Sequence, residues 1–157
     1  MDDEAFIALR RLISLNVSHN DLTRFNSNVF KGASKLIQLD LSINYFKEFP
    51  TDALRHLEEL LFLNVSNNLI SEIEQVHLSG LTELEILDLS RNNIARLGIN
   101  AFSGLSNLIH LDLSLNALRT IEESSFEGLV NLKWISLQDN NILLIPGSAL
   151  SRLPALR

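Results

Sequence analysis

Apolar residues recur along the chain with a period of 24 residues. Six segments align without gaps, and they begin at Leu12, Leu36, Leu60, Leu84, Leu108 and Leu132. If each segment is numbered from its leucine, positions 1, 4, 6, 11, 14, 19 and 22 are apolar in every copy. A fixed period of this length predicts a stack of similar units, each of which buries its apolar face against the next.

Each unit is predicted to contain one strand and one return segment. Positions 4 and 6 are apolar while positions 5 and 7 are polar, which predicts a half-buried strand over positions 3 to 7. Successive strands are expected to pair in parallel, about 4.8 Å apart. The return segment closes the core, with Phe30, Phe102 and Phe126 as its largest side chains. Pro50 and Pro146 interrupt regular structure where it begins, so irregular structure or short helical turns are expected there.

Position 9 is asparagine in all six units. The side-chain amide of asparagine both donates and accepts hydrogen bonds, so it can satisfy backbone groups that turn inward where the chain leaves the strand. We therefore expect a structural ladder along the stack, formed by Asn20, Asn44, Asn68, Asn92, Asn116 and Asn140.

The motif LxxLxLxxNxLxxLxxxxFxGLxx resembles the leucine-rich repeat family in its 24-residue "typical" form, over essentially the whole chain. That form is characteristic of extracellular animal proteins such as Toll receptors, Slit, chaoptin and the acid-labile subunit. The resemblance implies an α/β fold, a leucine-rich repeat solenoid with a curved parallel β-sheet on its concave face and irregular or short helical return segments. It also implies that the concave sheet binds other proteins.

A single leucine-rich repeat domain is expected over residues 1–157. It divides into a half repeat at 1–11, full repeats at 12–35, 36–59, 60–83, 84–107, 108–131 and 132–155, and the start of a further repeat at 156–157. Extracellular members of the family normally carry a signal peptide and cysteine-rich caps, and neither is recognisable in this sequence. We therefore expect the chain to be a piece of a longer protein.

The composition narrows the classes of function. Thirteen lysines and arginines against nineteen aspartates and glutamates give a net charge of −6, whereas nucleic-acid binding needs a concentrated basic surface. No apolar run approaches the roughly 18 residues of a membrane-spanning helix. The lack of cysteine excludes disulfides and thiolate metal sites. We expect no nucleic-acid or membrane contact in this segment, no cofactor and no metal.

The outward positions of the strands are the candidate binding site, because the inward positions are committed to the core. Position 3 is large in the last four units, and a large apolar patch with a tryptophan is typical of a protein interface. The alternative is that Trp134 only covers its strand neighbours or packs beneath a further unit. The candidate protein-binding residues are Phe62, Ile86, His110, Trp134, Arg91, Asp88, Asp112 and Leu115.

Metal binding or acid–base catalysis on this face is a weaker hypothesis than protein binding. Asp88 and Asp112 are expected to point the same way from adjacent strands, so they could share a proton or bind calcium. Calcium takes about six to eight oxygen ligands, and the neighbouring serines supply few, so we favour a solvated acidic strip. His110 has no oriented nucleophile and no pocket beside it. No catalytic residue is assigned, and the chain is not expected to be an enzyme.

Two N-x-S sequons begin at Asn16 and Asn64 and would accept N-linked glycans in a secreted protein. They also arise automatically when asparagine occupies position 5, since position 7 is nearly always serine. The sequence favours a protein-interaction module of a receptor or cell-adhesion ectodomain, extracellular or at the cell surface, which binds a protein ligand or itself. The alternative is an intracellular, cytoplasmic leucine-rich repeat scaffold, favoured by the lack of cysteines and of a signal peptide.

Overall fold

The computed structural model describes residues 5–157, and a six-stranded parallel sheet dominates it. In chain order the elements are β1 (Ser14–Asn16), β2 (Gln38–Asp40), α1 (Thr51–Leu54), β3 (Phe62–Asn64), β4 (Glu72–Ile73), α2 (Gln75–Leu78), β5 (Ile86–Asp88), β6 (Arg96–Leu97), β7 (His110–Asp112), β8 (Trp134–Ser136) and α3 (Gly147–Ser151). The large sheet has the order β1-β2-β3-β5-β7-β8. Residues 24 apart are partners throughout it, as Leu39 is with Leu63.

The paired strands cover positions 3 to 5 of each unit rather than the predicted positions 3 to 7. Ladder hydrogen bonds continue beyond them, since the N–H of Val65 donates to the carbonyl of Asp88 at 2.9 Å. The chain bends because the position-5 side chain accepts the N–H of position 7, as Asp88 does from Ser90 at 2.9 Å. An outward-facing position 7 is therefore wrong for Ser42 and Ser90, which are buried.

Position 8 follows the bend in the left-handed backbone region in every unit, with φ between 52° and 57°. Side chains other than glycine, asparagine and aspartate rarely adopt this region. The residues concerned are His19, Ile43, Asn67, Arg91, Leu115 and Asp139. Neighbouring units hold the backbone in place, since the N–H of Ile43 donates to the carbonyl of Ser66 at 3.0 Å. The repeat frame thus imposes a conformation that an isolated Ile43 would avoid.

The asparagines of position 9 connect consecutive units through backbone groups. The Nδ2 of Asn92 donates to the carbonyls of Val65, Leu89 and Ser90 at 3.0, 3.1 and 3.2 Å. Its Oδ1 accepts the N–H of Ile70 at 3.1 Å. The same set of contacts recurs at Asn44, Asn68, Asn116 and Asn140. Each amide therefore satisfies inward-turned groups of two units at once.

The core lies between the large sheet and the return segments. Phe30, Phe102 and Phe126 are buried there, and the rings of Phe102 and Phe126 stack with centroids 6.1 Å apart. The return segments hold the three short helices and a second, two-stranded parallel sheet of β4 and β6. This arrangement confirms the predicted α/β solenoid, with its parallel sheet on the concave face and short helical or irregular returns.

Candidate protein-binding face

The position-3 side chains of the last four units form one row across the sheet, which we call the central row. The register places Phe62 beside Ile86, Ile86 beside His110, and His110 beside Trp134. Partners on adjacent strands lie close enough for their side chains to interact. The ring centroids of His110 and Trp134 are 5.7 Å apart, with the planes inclined by 37°. The four side chains therefore form one continuous surface.

The central row is open to solvent. Ile86 is 38% and Trp134 43% exposed, His110 is also exposed, and Phe62 is half-buried. In units one and two the same position holds Ser14 and Gln38, which pair in the same register.

The fold therefore does not require a large side chain at position 3. The two polar members, Ser14 and Gln38, are exposed and contact each other at 3.4 Å. The large residues Ile86 and Trp134 of the later units still expose about two fifths of their surface. Their exposure is the feature that a partner protein would remove from water.

Position 5 provides a second row, parallel to the first. Asp88 and Asp112 are register partners on β5 and β7. One oxygen of each carboxylate accepts a backbone N–H, that of Ser90 at 2.9 Å and that of Ser114 at 2.8 Å. Within residues 5–157, the second oxygen of each carboxylate accepts no hydrogen bond from a side chain. Neither carboxylate forms an ion pair with a side chain of the same residues. Each aspartate is thus held by a backbone N–H and has no cationic side chain of residues 5–157 within ion-pair distance.

Arg91 and Leu115 lie where the strands bend, on the far side of the position-5 row from the central row. Both have left-handed backbones, with φ of 54° and 55°, and both are exposed. Sequence reasoning left Ile43 out of the candidate set, although it occupies the same position and is 37% exposed. Its apolar character at position 8, which it shares with Leu115, is the sequence signal that could identify it.

The geometry offers little for metal or acid–base chemistry. Within residues 5–157, no group of three or more histidine, aspartate or glutamate side chains is placed to hold a metal ion. His110 is in contact with Trp134, on an open sheet without walls around it. These side chains instead form a partly apolar surface that another protein could contact.

Both sequon asparagines lie on the same sheet face. Asn16 is exposed and Asn64 half-buried, and the Oδ1 of each accepts the N–H of the serine two residues later at 2.9 Å. Asn64 is the register partner of Asp88 and shares β3 with Phe62. A glycan on Asn64 would therefore stand beside the first member of the central row.

The family model of the leucine-rich repeat matches residues 1–46, 34–94 and 82–142. The chain belongs to the leucine-rich repeat family, whose domains are typically protein-interaction modules without enzymatic activity.

The fold is similar to that of an internalin (inlF) from Listeria monocytogenes str. 4b F2365, with 28% sequence identity and a TM-score of 0.68. The match covers 88% of this chain and 38% of the internalin chain, so this chain spans well under half of its length. Comparison with curated protein sequences found no match. In the described part of the chain, none of the helices has the length and apolar character needed to cross a membrane.

Proposed function

We propose that this chain is the ligand-binding part of a receptor or cell-adhesion ectodomain and binds a protein through the central row. One observation carries the proposal: Phe62, Ile86, His110 and Trp134 form a solvent-open surface in register, at a position that the fold fills elsewhere with serine or glutamine.

The surface has the anatomy of an interface. A few large side chains in the middle of a contact supply most of its binding energy, and polar groups at the rim exclude water from them. Trp134 and Ile86 are the anchors, and Asp88, Asp112 and Arg91 belong to the rim. Because tryptophan is a frequent hot spot, replacing Trp134 by alanine costs more than about 2 kcal/mol of binding energy in this account.

The 24-residue unit and the two sequons support an extracellular location. Asn16 is exposed at the first strand, and its Nδ2, which would carry the oligosaccharide, lies 3.5 Å from Oδ2 of Asp40. A second glycan at Asn64 would direct protein binding toward Ile86, His110 and Trp134, the three members farther along the row.

The proposal is tested by screening the immobilised chain against a panel of secreted and cell-surface proteins that includes the chain itself. Wild type, Trp134→Ala and Ile99→Ala are compared. Ile99 is the matched control because it is 77% exposed and lies on a return segment. Binding that Trp134→Ala abolishes and Ile99→Ala preserves is expected. Equal binding by all three proteins would show that the central row is not the interface.

The location is tested separately on the native protein from its source tissue. Its intact mass is measured before and after enzymatic removal of N-linked glycans. A mass that falls on treatment is expected for an ectodomain. A mass that does not change would favour the intracellular scaffold.

A further inference from the structure

We infer that the segment bound by the central row is basic as well as apolar, with lysine or arginine side chains next to large aliphatic or aromatic ones. The inference rests on the proposed function and adds the chemistry of the partner. It follows from how charge is arranged on the sheet face compared with the return segments.

On the return segments, the 24-residue spacing brings opposite charges together. Lys35 pairs with Glu59, and Arg96 pairs with Glu72 at 2.8 Å, both across one unit. Arg96 also contacts Glu74 at 2.8 Å. The repeat spacing therefore pairs some acidic side chains of the return segments with cations, although others, such as Glu58 and Glu123, form no ion pair within residues 5–157.

On the sheet face, the same spacing brings like charges together. Asp88 and Asp112 are register partners, and positions 3, 5 and 8 hold four carboxylates against one guanidinium. These charged residues are Asp40, Asp88, Asp112, Asp139 and Arg91. None of the four carboxylates forms an ion pair within residues 5–157. A cation supplied by a partner would relieve the repulsion between Asp88 and Asp112.

The spacing of the central row and the position-5 row suits the binding of a short extended peptide. Positions 3 and 5 lie about 6.6 Å apart along a strand, and the four strands of the central row span about 14 Å. An extended segment of about five residues covers that distance. Alternate side chains of such a segment would contact Ile86 and Trp134 on one row and Asp88 and Asp112 on the other.

The charge also argues against a second copy of the chain on this face. Two identical faces that met would bring together two surfaces that each hold four carboxylates against one guanidinium. Like charges in contact across an interface are strongly unfavourable. The partner is therefore a different protein, which presents a basic and apolar segment.

The probe is an array of synthetic peptides of about eight residues, long enough to cross the row. Three matched sets share the same aromatic and aliphatic residues and carry arginine and lysine, glutamine, or glutamate at the remaining positions. The wild-type chain is expected to bind the basic set best, and the preference should weaken as salt rises. Equal retention by the three sets, preference for another set, or no retention would overturn the inference.

Charge removal on the face supplies the second measurement. Asp88→Asn/Asp112→Asn is compared with Glu58→Gln/Glu123→Gln, which removes two exposed charges from the return segments. The asparagine variants are expected to fold, because Asn64 makes the same bond to Ser66 at 2.9 Å. The proteins are made in bacteria without N-glycosylation, since both asparagine changes create N-x-S sequons.

We expect Asp88→Asn/Asp112→Asn to weaken binding of the basic set roughly threefold to thirtyfold, and the control pair to change it little. Equal effects of the two pairs would overturn the inference. Peptide binding by Trp134→Ala distinguishes a failure of this inference from a failure of the proposed function. Peptide binding that depends on Trp134 but not on the aspartates leaves the interface in place and refutes its charge preference. Binding that depends on neither refutes both.

Discussion

His110 and Trp134 are register partners on β7 and β8, and their ring centroids lie 5.7 Å apart. Trp134 is the single tryptophan of the chain and is 43% exposed, so its fluorescence reports directly on the candidate face. We expect His110→Ala to change the intensity or wavelength of this emission without a change in far-ultraviolet circular dichroism. We also expect saturation with the basic peptide set to shift it, because burial alters the solvation of the indole. Emission that is unchanged on saturation would place the peptide elsewhere.

The asparagine ladder is expected to contribute to stability according to burial. In Asn92→Ala the backbone groups of Val65 and Ile70 lose a buried partner, which should lower the free energy of unfolding by about 1–3 kcal/mol. Asn20→Ala is the matched control, because the Asn20 side chain is exposed and, within residues 5–157, its Nδ2 donates only to Val17 and Ser18 of its own unit. Urea denaturation of both variants makes the comparison. Equal losses would mean that contacts between units do not determine the effect.

Gly32 is predicted to be the least replaceable of the left-handed glycines. Its φ is +95°, and a Cβ there would lie 2.5 Å from the carbonyl oxygen of Ile7. Gly104 has a φ of +98° with nothing within 4 Å, so it isolates the backbone strain. Gly104→Ala should cost about 1–2 kcal/mol and Gly32→Ala at least about 1 kcal/mol more, as measured by thermal or urea unfolding. Identical losses would show that the segment around Ile7 yields without cost.

The Arg96 guanidinium donates to Glu72 at 2.8 Å, and this hydrogen bond holds the pKa of Glu72 below its ordinary value of 4.5. A lowered pKa in the folded state stabilises the fold above the unfolded pKa, and this contribution is lost as the pH falls through the folded value. The pair is exposed, so the contribution is small and screened by salt. Arg96→Gln should raise the pKa of Glu72 toward 4.5 in an NMR titration.

The control for this titration is Arg119→Gln, which removes an exposed arginine one unit farther along the chain. It should leave the pKa of Glu72 unchanged. An equal rise in both variants would mean that long-range charge, rather than the bond to Arg96, lowers the pKa.

The central part of each strand could be predicted because the strand period is two. The apolar residues at position 4, such as Leu63 and Leu87, point inward, and their neighbours Phe62 and Ile86 therefore point outward. The ends of the strands could not be predicted, because a bond such as that of Asp88 to Ser90 bends the chain without altering the apolar pattern.

Two other features of the fold could not be predicted from the residues around them in the sequence. The left-handed backbone of Ile43 contradicts the preference of a β-branched residue and is imposed by hydrogen bonds to the next unit. The pairing of Glu72 with Arg96 in the second sheet involves only two residues per strand, too few for any periodicity to show. The identity of the partner that the candidate face binds could not be predicted either, because the fold accepts both polar and large apolar side chains at position 3.

The most direct test of the account is an alanine scan along position 3, with the affinity for one partner identified in the protein screen measured for each variant. We expect Ser14→Ala and Gln38→Ala to bind like the wild type. Ile86→Ala and His110→Ala should weaken binding, and Trp134→Ala should weaken it by more than about 2 kcal/mol. Unchanged affinity across Ile86, His110 and Trp134, or a loss confined to Ser14 and Gln38, would contradict the central claim that this row is the binding site.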